Sequence, residues 1–161
     1  MSMTDRIEKS AVLHASLQRV WRAVSDSAEF GTWFGLKVDG PFVEGVTVTA
    51  AIVPTAVDSE VAAQQEAFSG DPFPLHVVTV DPPRRFAFRW NPLPEKEFAD
   101  LTTLVEFTLS EVDGGVLVEI VESGFDALPD SHRATAFADN SGGWATQLNL
   151  IGRYVSTAPW A

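Results

Sequence analysis

Glu122 stands where an acid is costly. Val116, Val118 and Ile120 alternate along one face of a predicted strand, and Glu122 continues that face. A carboxylate at the end of an apolar row must be paired, hydrated or neutral. Turned inward, it would suit acid–base work or a hydrogen bond to the polar end of a ligand. In that arrangement Glu122→Gln is expected to alter ligand affinity and to leave stability intact or improved, because a buried charge disappears. If the strand bends or ends at Ser123-Gly124, Glu122 sits in water at the rim instead. Ser123 lies at a strand end but lacks the flanking pattern of a nucleophile elbow. Covalent catalysis needs a nucleophile, a base and an orienting group, so no residue is assigned as catalytic. His14, His76 and His132 share no metal-ligand spacing and the chain has no cysteine, so neither a metal nor a cofactor is expected.

A second set of residues suits binding rather than reaction. Eleven Phe against one Tyr make the aromatic content largely hydrocarbon, which serves either a solid core or a greasy pocket. Phe86, Phe88 and Trp90 alternate on one strand, and Phe107 lies on the inner face of another. Trp33 and Phe34 end a short helix. Phe137, Trp144 and Leu148 follow helical spacing near the carboxy terminus. Together with Ile120 and Glu122, these are the candidate ligand-binding residues.

The elements that must position them are legible in outline. Ile7, Ala11, Val12 and Leu13 suggest a first strand over residues 7–14. Leu17, Val20, Trp21 and Val24 repeat at helical spacing behind Ser16, a suitable N-cap. Ser25 and Asp26 break that helix and can cap a second, ending near residues 30–34. Strands are expected near residues 46–52, 75–80, 85–90, 103–109 and 116–122, the last two joined by the turn Asp113-Gly114-Gly115. Residues 54–72 are longer than a hairpin needs. Ser59 to Phe68 carries good helix formers behind a serine cap, so the segment reads as a short helix or a mobile flap. A long helix ends near Val155, with Phe137, Trp144, Leu148, Ile151 and Val155 on one face. Gly142 and Gly143 interrupt it at a cost of about 2 kcal/mol relative to alanine. Close packing against the sheet is the expected reason; a kink or room for a ligand is the alternative. The fold class is α+β: a curved antiparallel sheet wrapped around the last helix, with two short helices after the first strand.

The chain of 161 residues suits one domain, residues 1–161. A net charge of -11 disfavours phosphate backbones and anionic lipid surfaces, so neither nucleic acid nor a membrane is expected as a partner. With no signal-peptide core and no apolar run of membrane length, the expected location is the cytoplasm.

Four motifs occur in a telling order: Val20-Trp21-Arg22-Ala23-Val24-Ser25-Asp26 with Thr32-Trp33-Phe34-Gly35, then Val80-Asp81-Pro82-Pro83-Arg84-Arg85-Phe86, then Glu122-Ser123-Gly124-Phe125, then Gly143-Trp144 with Leu148 and Ile151. They resemble the signatures of the family named after the activator of the heat-shock-protein-90 ATPase, within the START-like (SRPBCC) superfamily. The resemblance implies the helix-grip fold and a bacterial-type single-domain member. Residues 54–72 exceed the family's usual strand connection, and the Asn- and Trp-rich segment of the eukaryotic activators' chaperone-binding domain is missing. The function expected is non-catalytic binding of a small apolar or aromatic molecule between sheet and last helix. The alternatives are an enzyme of the cyclase or hydrolase kind using Glu122, and an interaction module such as a chaperone co-factor. A homodimer and a chaperone complete the candidate partners.

Overall fold

The structure is a computed structural model that describes residues 5–67, 71–93 and 96–157. β1 (Arg6–Leu13) leads into α1 (Leu17–Ser25) and α2 (Ser27–Phe34). Ser16 caps α1 by accepting from Arg19 N at 3.1 Å. Asp26 caps α2 by accepting from Ala28 N and Glu29 N, each at 3.0 Å. These bonds satisfy amide donors that a first helical turn leaves without partners. Gly35 ends α2 at φ 95°, and a Cβ there would also strike the Gln65 side chain. β2 (Leu36–Val38), β3 (Thr47–Ile52), α3 (Ser59–Glu66), β4 (Phe73–Asp81), β5 (Arg85–Trp90), β6 (Thr103–Val112), β7 (Gly115–Ser123) and α4 (Asp130–Thr157) complete the chain.

Among the described residues seven strands form one antiparallel sheet in the order β1-β7-β6-β5-β4-β3-β2. The last strand thus inserts beside the first, and the sheet curves over α4 in the helix-grip arrangement. The sheet has one strand more than the sequence pattern suggests, because the three-residue β2 is too short to show alternation. With 28 residues, α4 is ~42 Å long at 1.5 Å rise per residue. Phe88 of β5 pairs with Val105 of β6, which pairs with Glu122 of β7; Phe86, Phe107 and Ile120 align in the same way two residues away. Matched parity therefore puts these side chains on one concave face.

The residues between β3 and β4 that the structure describes form a docked helix rather than a flap. Asp58, not Ser59, is the N-cap, accepting from Glu60 N at 2.8 Å and Val61 N at 3.1 Å. Arg153 of α4 pairs with the same carboxylate at 2.6 Å. Gln65 accepts from Thr55 N and donates to Phe34 O, both at 2.8 Å. No residue of α3 is fully buried; these polar ties hold it together with Val61, which is partly buried against the core. The sequence stretch Phe68-Ser69-Gly70 lies outside the described residues.

At the far end of α4, Glu29 joins three helices. It pairs with Arg19 at 2.7 Å and Arg22 at 2.8 Å, and accepts from the Tyr154 hydroxyl at 3.1 Å. Burial pushes the Tyr154 phenol above its ordinary value, so it stays protonated and able to donate across neutral pH.

Candidate functional site

Glu122 is fully buried at the end of β7, and its carboxylate is surrounded by donors. Oε2 accepts from Trp90 Nε1 at 2.9 Å and from Thr103 Oγ1 at 2.5 Å. Oε1 accepts from Trp144 Nε1 at 2.8 Å and from Asn140 Nδ2 at 2.9 Å. The strand register explains why they meet. Trp90 pairs directly with Thr103, and Thr103 lies diagonally across from Glu122 on the same face. Asn140 and Trp144 are four residues apart on α4 and so share its sheet-facing side.

Four neutral donors thus occupy the four lone-pair directions of one carboxylate. This differs from the two situations considered from the sequence, a solvated rim and an uncompensated buried charge. A buried acid can be satisfied without a cation when enough N–H and O–H groups converge on it. An indole N–H can only donate, so the arrangement calls for acceptors at both oxygens. Glutamine in this position would turn an amide N–H₂ toward donors, which reverses the stability gain expected from removing the charge.

The indoles that Glu122 holds form one wall of a cleft of about 140 Å³, lined by Phe34, Trp90, Asn140, Gly143, Trp144 and Gln147. The Trp90 and Trp144 ring centroids are 5.7 Å apart, and Phe34 stands edge-on to both at 6.1 and 5.8 Å. Trp144 is buried, Trp90 is half-buried, and Gly143 opens to solvent. A Cβ on Gly142 or Gly143 would meet nothing within 4 Å. Close packing therefore does not account for this glycine pair; at Gly143 the space is the cleft itself. The tight glycine of α4 is Gly152, whose Cβ would lie 3.3 Å from Leu13 Cδ2.

The other sequence candidates lie elsewhere. Phe86, Phe88, Phe107 and Ile120 sit in the packed interior with no appreciable exposure. Trp33 is buried behind Phe34, its Nε1 donating to Ala23 O at 2.8 Å. Leu148 faces the core, and Phe137 packs edge-on against Phe125 at 5.4 Å. Ser123, next to Glu122 in the strand, points to the opposite face of the sheet. His14 and His76 make surface hydrogen bonds with Gly114 O and Thr47 Oγ1, and His132 stands edge-on to Phe98. Among the described residues no group of three or more His, Asp or Glu could hold a metal ion, and no helix is long and apolar enough to cross a membrane.

Asn140, Gly143 and Gln147 are the lining residues that aromatic content does not reveal. Their spacing with Trp144 is i, i+3, i+4, i+7, a helical stripe beside the apolar one. That stripe was visible in the sequence, but a polar stripe next to an apolar face ordinarily marks solvent.

Solved structures share this fold at low sequence identity. Protein MLL2253 of Mesorhizobium loti matches with a TM-score of 0.70 and 20% identity, over 94% of this chain and 96% of that one. The solution structure of the Aha1 dimer from Colwellia psychrerythraea matches at 0.67 and 16%, over 96% and 98%. DynU16, a protein of the dynemicin biosynthetic locus, matches at 0.68 and 22%; 95% of this chain is covered, but it spans only 48% of DynU16. No curated protein matches. The family model described as Activator of Hsp90 ATPase homolog 1-like protein aligns with residues 14–156, nearly the whole sequence. The chain belongs to the Activator of Hsp90 ATPase homolog 1-like family.

Proposed function

We propose that residues 1–161 act as one domain that binds a small aromatic or apolar molecule in the cleft between sheet and α4, without catalysis. The observation that carries this reading is a cleft lined by Phe34, Trp90 and Trp144 and left open at Gly143. Its volume, about 140 Å³, is near that of apolar cavities that take up benzene, of order 150 Å³. The ligand is therefore of single-ring size. Glu122 works in this reading as a positioning residue. All four of its acceptor directions are used within the protein, and a general acid or base must reach the proton it moves.

Titration with toluene tests the reading, followed through the indole N–H signals of Trp90 and Trp144. The expected result is saturable shifts at both, none at Trp33, and loss of binding in Gly143→Leu, whose side chain fills the cleft. Shifts that never saturate, or that survive in Gly143→Leu, overturn it. The Colwellia neighbour is described as a dimer, and we extend self-association to this chain as a proposal. Sedimentation equilibrium giving a monomer at every concentration up to the millimolar range would exclude it.

A further inference from the structure

The carbonyl end of α2 is held by a segment none of whose residues lines the cleft. A helix leaves its last carbonyls without intrahelical partners. Here residues 53–65 supply donors to four successive carbonyls, Thr32 to Gly35. Gly35 O accepts from Val53 N at 2.9 Å, and Thr32 O from Ala56 N at 3.1 Å. Trp33 O accepts from the hydroxyl of the buried Thr55 at 2.8 Å. Phe34 O accepts from Gln65 Nε2 at 2.8 Å, and Gln65 Oε1 accepts from Thr55 N at 2.8 Å. A carbonyl only accepts and a backbone N–H only donates, so the Gln65 amide is fixed in one orientation. Gly35, at φ 95°, has no Cβ to strike that amide. Phe34 O also accepts from Gln147 Nε2 at 3.2 Å. One carbonyl thus joins α2, α3 and α4, and both Phe34 and Gln147 line the cleft.

Resting on the binding role proposed above, we infer that residues 53–66 are a positioning element of the cleft, with Gln65 as its central residue. By holding the last carbonyls of α2 they fix where the Phe34 ring stands, and so set the affinity for a single-ring molecule. This gives the long connection between β3 and β4 a role in binding. With no fully buried residue, α3 exposes little apolar surface when it undocks, so local opening costs little free energy. If its docking positions Phe34, ligand binding and docking stabilise each other, by the same factor in both directions.

The test titrates toluene against the parent chain, Gln65→Met and Gly143→Leu, and repeats Gln65→Met in a Phe34→Leu background. Methionine keeps the length of the side chain and removes both hydrogen bonds, while Gln147 still donates to Phe34 O. Gln64→Met, at an exposed neighbour in α3, is the control. Affinity is read from the Trp90 and Trp144 indole signals, and folding from thermal melts. Gln65→Met is expected to weaken binding about fivefold, the scale of one neutral hydrogen bond, and Gln64→Met to leave it unchanged. In the Phe34→Leu background Gln65→Met should have no further effect. In the parent, toluene should slow hydrogen exchange of the α3 amides by about the same fivefold factor. That measurement needs no variant and decides the matter should one fail to fold. Unchanged affinity in Gln65→Met, an equal loss in both backgrounds, or unchanged α3 exchange overturns the positioning role and leaves the cleft standing. Failure of toluene to bind the parent, or undiminished binding to Gly143→Leu, overturns the cleft reading and this inference with it.

Discussion

Two groups of aromatic rings under the sheet have similar spacing and different consequences. Phe30, Phe42, Phe86, Phe88 and Phe107 form a closed cluster, with centroids such as Phe42–Phe86 at 4.8 Å and Phe30–Phe107 at 5.9 Å. Phe34, Trp90 and Trp144 lie 5.7–6.1 Å apart, yet they enclose the cleft. Ring spacing therefore does not separate core from site. Hydrocarbon rings can be covered on every side, whereas each buried indole N–H requires an acceptor. That requirement places Glu122 behind Trp90 and Trp144 and keeps their N–H groups turned away from the cleft. Beside Trp144, α4 carries Gly143 rather than another ring, and no Cβ fills that space.

The largest expected effect comes from the closed cluster. Phe107→Ala should cost about 3–5 kcal/mol in denaturant melts, because the void has no solvent to open onto. Phe34→Ala should cost clearly less, since its space merges with an existing cleft. Equal losses would erase the distinction between the two groups.

Next comes the carboxylate that joins the indoles. Glu122→Gln should destabilise by about 1.5–3 kcal/mol, the scale of a hydrogen bond to a charged acceptor. Thr103 can turn its hydroxyl to accept, so the amide nitrogen goes to that side and leaves Trp90 N–H without an acceptor. The Trp90 indole signal should therefore move more than that of Trp144. A variant as stable as the parent, with both signals unmoved, would show that the four bonds do not hold the indoles.

Glycine substitutions sharpen the comparison along one helix. Gly143→Ala should stabilise by up to about 1 kcal/mol, because its Cβ meets nothing and alanine favours the helix. Gly152→Ala, crowded by Leu13, should gain less than Gly143→Ala or lose stability. The reverse order in thermal melts would mean that the cleft closes around Gly143 in solution.

The smallest effect is local to α3. The hydrogen bond donated by the Val61 N–H, opposed by desolvation and aided by Arg153 and the Glu60 N–H, lowers the Asp58 carboxyl below its ordinary 3.8. A folded value below the unfolded one means that the docking contribution is present above 3.8 and is lost as pH falls through the folded value. The amide signals of Glu60 and Val61 should titrate with a midpoint under 3.8. A midpoint at or above 3.8 would mean that the cap and the Arg153 pair do not persist in solution.

Local pattern was enough for most of the fold. The period of two in Phe86-Ala87-Phe88-Arg89-Trp90 and in Val116 to Glu122 marks strands and their inner faces. The spacing of Trp144, Leu148, Ile151 and Val155 marks the buried side of α4, and Ser16 and Asp26 mark helix starts, because caps and amphipathic periods act over a few residues. The reason for the cap on α3 was less plain, since Asp58 and Ser59 are adjacent and either can cap.

The cleft was decided at longer range. Glu122 could be read as an inward acid, but its partners come from β5, β6 and α4, and only the strand register and the seating of α4 bring four donors to one carboxylate. The same packing decided that Phe86, Phe88 and Phe107 close on one another while Phe34, Trp90 and Trp144 leave room. It also decided that the stripe Asn140, Gly143 and Gln147 faces that room instead of solvent. Periodicity states which residues share a face; what covers that face is set by elements distant in the chain.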